Sequence, residues 1–69
     1  MKDLSSIVEL MGGKLSYSLE HGWYEYKVTF GRMSVSFRDM KEQKCIDFIR
    51  KYLEETYPMQ WINAKNQLK

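Results

Sequence analysis

The residues best suited to covalent chemistry in this 69-residue chain are its one thiol, Cys45, and its one imidazole, His21. A thiol attacks as the thiolate and needs a neighbouring base to form it. His21 stands in a Gly-containing turn and Cys45 in an apolar helical stripe, where a free cysteine packs as a small hydrophobe. The two are therefore expected apart, and no catalytic residue is assigned. Zinc needs three or four soft or carboxylate ligands at short spacing, so neither a metal nor a cofactor is expected. Glu54 and Glu55 are adjacent, and helical neighbours point about 100° apart, so they do not converge as a general acid and base. The four glycines are scattered, and none forms a phosphate-cradling loop before a helix.

Binding chemistry is better represented. Residues 27–51 carry seven basic residues against three acids. Among them are Lys27, Arg32, Arg38, Lys41, Lys44 and Lys51, the set expected to contact nucleic acid if that is the partner. Asp39, Glu42 and Asp47 interrupt the series, so it is a mixed surface and not a polybasic run. Trp23 falls on the polar side of its strand by alternation, and Trp61 lies beyond Pro58, outside the stripe that closes the core. Neither has an expected core position. Trp23, Met59, Trp61 and Ile62 are accordingly the candidate contacts for a protein partner, a second copy of the chain included, the alternative being a tail that folds back to pack Trp61, Met59 and Ile62 on the domain as a satellite cluster.

The elements that must position these groups follow from length and periodicity. At 8.3 kDa the chain is read as one domain, 1–69, with a core over 3–56 and a tail or helix over 57–69. A hydrophobic content of 43% with 14% aromatic residues is that of a folding chain. Such a short domain buries only about 60% of its unfolded surface, which leaves no room for a large substrate cavity and argues against an enzyme. The single cysteine cannot make an internal disulfide, and the first nine residues carry acids and no continuous apolar run. A cytoplasmic protein without a targeting or membrane segment is expected.

Leu4, Ile7, Val8 and Met11 at i, i+3, i+4 and i+7 predict a helix over 3–11, capped by Asp3 and stopped by Gly12-Gly13. The period then changes to two. Leu15, Tyr17 and Leu19, then Tyr24, Tyr26, Val28 and Phe30, then Met33, Val35 and Phe37 form one apolar face of three strands. Turns at His21-Gly22 and Gly31 are short enough to require hairpins. Asp39 followed by Glu42 predicts a capping box opening a second helix to about Thr56, whose stripe of Cys45, Ile46, Phe48, Ile49, Tyr52 and Leu53 covers the sheet. After Pro58, Met59, Ile62 and Leu68 give a weaker helical pattern. The fold class is thus α+β, in the order α-β-β-β-α, with a three-stranded antiparallel meander covered on one face by helices and a short C-terminal helix.

This order over residues 3–56 resembles that of a double-stranded-RNA-binding domain, with His21-Gly22 in the first hairpin loop and Lys41 and Lys44 in the first turns of the second helix. The resemblance implies RNA held by shape and backbone through those positions. The chain departs from the family at Met40, where a further lysine is usual, and in the large Ile46, Phe48 and Ile49 of the last helix. Lacking a catalytic set, and rich in large apolar residues, the chain is read first as a non-enzymatic protein-binding module of regulator or inhibitor type, and second as a nucleic-acid-binding domain using 27–51.

Overall fold

Each turn of the chain has a local cause. The structure, a computed structural model, describes the backbone of residues 2–68 and the side chains of residues 4–68. The first helix, α1 (Lys2–Leu10), ends in a Schellman arrangement: the Gly13 N–H donates to the Val8 carbonyl and the Gly12 N–H to the Glu9 carbonyl, with Gly12 at φ 89°. Gly13 is required for a second reason. A Cβ there would lie 2.5 Å from the Phe30 ring and 2.8 Å from the Thr29 carbonyl oxygen. The capping role expected of the Asp3 side chain lies outside the described residues.

Strands β1 (Lys14–Glu20), β2 (Trp23–Phe30) and β3 (Met33–Asp39) form an antiparallel sheet in the order β1-β2-β3. His21 and Gly22 both have positive φ, which makes the first turn type I′; only Gly31 does in the second, as type II′ requires. Both turns match strand twist, and they fix the register as Tyr17 opposite Tyr26 opposite Phe37. The expected meander is therefore present, with Leu4, Val8, Val28, Cys45, Ile49 and Leu53 fully buried between sheet and helices.

Helix α2 (Glu42–Thr56) covers the sheet with Cys45, Ile46, Ile49 and Leu53, as its stripe predicts. Its start differs from expectation. Asp39 is still paired with Tyr24 in the sheet, so the chain cannot turn helical there, and Lys41 takes the N-cap position with no side-chain cap bond. The Asp39 carboxylate instead accepts the Lys41 N–H at 2.9 Å, bracing the turn above the strand. Glu42, freed from a capping box, accepts the Tyr26 hydroxyl at 2.6 Å. Phe48, on the flank of the stripe, is exposed.

The tail is a helix, α3 (Pro58–Gln67), with Pro58 in its first turn, where the missing N–H costs nothing. It packs against α1 and α2. Its buried residues are Trp61 and Ala64, while Met59 and Ile62 face away, so the tail folds back through Trp61 and leaves the other two exposed. Trp61, expected outside the core, is 6% exposed within it. The small Ala64 lets the helix approach its neighbours, and the indole then fills the space between them, which the aliphatic spacing of Met59 and Ile62 did not disclose.

The inner sheet face is also less completely covered than expected. Tyr17 and Leu19 on edge strand β1 and Met33 at the start of edge strand β3 lie on it and are exposed, since the helices do not reach these parts of the two edges. The shortest dimension, 18 Å, is that of one sheet and one layer of helices. Among the described residues none covers the outer face.

Candidate functional site

The bare outer face is built by the alternation of three strands and ordered into rows by the register. Glu20 lies beside Trp23; Ser18, Glu25 and Arg38 form the next row; Ser16, Lys27 and Ser36 the next; and Lys14, Thr29 and Ser34 the last. The Thr29 and Ser34 hydroxyls are 3.1 Å apart and hydrogen-bonded. Three cations face two carboxylates, so the face is nearly balanced and does not resemble a phosphate-binding surface.

At one end of this face Trp23 is 40% exposed, with the Arg38 guanidinium carbon 5.3 Å from its ring centre. Arg38 is opposite Glu25, and Trp23 is the diagonal neighbour, within reach of so long a side chain. Ser18, Glu20, Glu25, Arg38 and the indole line an open hollow. The guanidinium lies against the indole, so the hollow offers an aromatic surface, a cation and two carboxylates to an incoming side chain.

The other candidates are not gathered with Trp23. Trp61 is in the core with the Lys65 ammonium 5.5 Å from its ring, and Met59 and Ile62 are exposed on α3, on the helical side of the sheet, away from the Trp23 face. The four residues expected at one interface thus divide among outer face, core and helix. The basic set divides as well. Lys27 and Arg38 are on the outer face, Arg32 is in the β2–β3 turn, and Lys41, Lys44 and Lys51 lie along α2. Lys44 and Lys51, two turns apart, share one flank with the exposed Phe48.

Cys45 is buried, its Sγ 3.6 Å from the Tyr24 carbonyl oxygen, while His21 is exposed in the first turn. Burial, then the charge of Asp39, push the thiol above its ordinary value, which opposes thiolate formation. Tyr26 is raised far more, by burial first and then by its hydrogen bond to Glu42 and the carboxylate's charge. Two features escaped sequence reasoning: the Arg38–Trp23 stack, whose only signal is the register set by the two-residue turns, and the Tyr26–Glu42 bond, which spans 16 positions and has no local signal.

Among the described residues no helix is long and apolar enough to cross a membrane. In comparisons with known proteins the chain matches no family model, and neither a curated protein nor a solved structure is significantly similar to it.

Proposed function

We propose that this chain is a non-enzymatic protein-binding module of regulator or inhibitor type, and that its partner seats on the outer sheet face around Trp23. The observation that carries this reading is a half-exposed tryptophan against an arginine on a face that, among the described residues, no helix covers. Tryptophan and arginine are the residues most enriched among the few that dominate interface energies. The near balance of charge on the face favours a protein over a polyanion.

The test places a photoreactive amino acid at position 23 in cells and, separately, replaces Trp23 by Ala. The reading expects a discrete protein crosslink, abolished when Arg38→Ala is added, and a Trp23→Ala chain whose unfolding free energy changes by no more than about 0.5 kcal/mol. No protein crosslink at 23, or one that survives Arg38→Ala, would overturn it.

A second reading, nucleic-acid binding, has one observation in its favour: Lys41, Lys44 and Lys51 all project from the exposed side of α2, the element that carries the lysines in the resemblance to double-stranded-RNA-binding domains.

A further inference from the structure

The first strand is mirrored about its own centre. Lys14-Leu15-Ser16-Tyr17-Ser18-Leu19-Glu20 has leucines and serines symmetric about Tyr17 and opposite charges at its two ends. It is also an edge strand, and two of its inner-face side chains, Tyr17 at 53% and Leu19 at 49%, are exposed. We propose that β1 is the self-association edge of this protein: a second copy of the chain pairs its own β1 alongside, antiparallel and centred on Tyr17, to give one continuous six-stranded sheet. The seam shares Ser18 and Glu20 with the hollow at Trp23 but does not rest on the partner assigned there.

Three physical requirements agree on that register. The first is hydrogen-bond parity. The two-residue turn makes Glu20 and Trp23 an exchanging pair, and alternation then commits the N–H and C=O groups of Ser18, Ser16 and Lys14 to β2. Those of Leu15, Tyr17 and Leu19 point away from the sheet. Centring on Tyr17 sets Tyr17 against Tyr17 and Leu15 against Leu19 of the second copy, so all of the free groups meet.

The second is charge. In the same register Lys14 lies opposite Glu20 of the second copy and Glu20 opposite its Lys14, in the closer, non-hydrogen-bonded class of pairs. Ser16 and Ser18 face each other between them. A slip of two residues preserves parity but sets Lys14 against Ser18 or Gly22 and Glu20 against Gly12 or Ser16, so neither charge pair forms.

The third is burial: the pairing lays Leu15, Tyr17 and Leu19 beside their symmetry mates on the inner face, where the exposed tyrosine and leucine gain a cover that the chain's own helices do not provide. The other edge lacks this complementarity. Folded about Ser36, β3 would pair Ser34 with Arg38 and Met33 with Asp39. A two-fold isologous contact of this kind closes on itself and leaves both β3 strands at the ends of the larger sheet.

The experiment is a charge exchange read by sedimentation equilibrium on the full chain. The parent should dimerise; Lys14→Glu and Glu20→Lys should each raise the dimer dissociation constant about tenfold or more, since each sets like charges face to face at two symmetric positions. The Lys14→Glu, Glu20→Lys double variant should return to the parental value. Amide exchange on the parent gives a readout that needs no substitution: the Leu15, Tyr17 and Leu19 amides should become protected as concentration rises, with Ser16 and Ser18 protected throughout. A parent that stays monomeric at millimolar concentration, single variants that dimerise as the parent does, a double variant that fails to recover, or three unprotected amides in the dimer would each overturn the proposal.

Discussion

Tyr26 combines a buried ring in the middle strand with a hydroxyl donated to the Glu42 carboxylate. Burial and that carboxylate both oppose ionisation, so its folded value stands well above the ordinary tyrosine value of about 10. The consequence for stability has a definite sign. Below pH about 10 folded and unfolded chains both hold the proton; above it the unfolded chain releases the proton first, so stability falls as pH rises. Cys45 adds a decline of the same sign from about pH 9, and Tyr52, also raised by burial, one from about pH 10. Tyr26→Phe should cost about 1 kcal/mol at neutral pH, where the Glu42 bond is removed. It should also flatten the fall of the urea midpoint above pH 10. An equally steep fall in the variant would show that the hydroxyl does not control alkaline unfolding. None of this was legible beforehand: Tyr26 reads as one more inward residue of an alternating strand, and Glu42 as a helix cap.

At the scale of elements, α3 shows how two apolar faces on one helix are told apart. Met59 and Ile62 lie on one side and Trp61 and Ala64 on the other, and the structure buries the second pair. Trp61→Ala should therefore cost about 3 to 5 kcal/mol, enough to unfold much of so small a protein. Met59→Ala, two residues away at 67% exposure, should stay within about 0.5 kcal/mol. Urea denaturation of the two variants checks this, and equal costs would reject the seating of α3. The other elements were more legible. The stop at Gly12-Gly13, the two hairpin turns and the buried stripe of α2 each rest on interactions within a few residues. The start of α2 was not, because Asp39 has to satisfy the β3 ladder before it can serve a helix.

Across the whole molecule, charge is spread and not focused. The outer face is close to neutral, and the lysines of α2 lie on a different surface from Lys27 and Arg38. If nucleic acid binds, it should follow the α2 flank. Replacing Lys41 and Lys44 together should then weaken duplex RNA and DNA alike and reduce the slope of log affinity against log salt by about two, one for each phosphate that a lysine no longer neutralises. A salt series on parent and double variant makes the measurement. An unchanged slope would move any such binding to Lys27 and Arg38, and no binding by the parent at low salt would leave the protein-binding reading alone.

What the sequence determined by itself is the order of elements and their boundaries to within a few residues. The change from a 3.6 to a 2 residue period, the positive-φ turns and the proline at the head of α3 all act over a handful of neighbours. Even the mirrored pattern of β1 can be read from seven letters. What tertiary structure decided is which apolar residues are covered and which polar ones meet. Trp61 and not Met59 is buried, Tyr17 and Leu19 remain open, Arg38 lies over Trp23, and Tyr26 finds Glu42. The reason is geometric: burial depends on where two short helices end above a sheet with two free edges, and no local period carries that information.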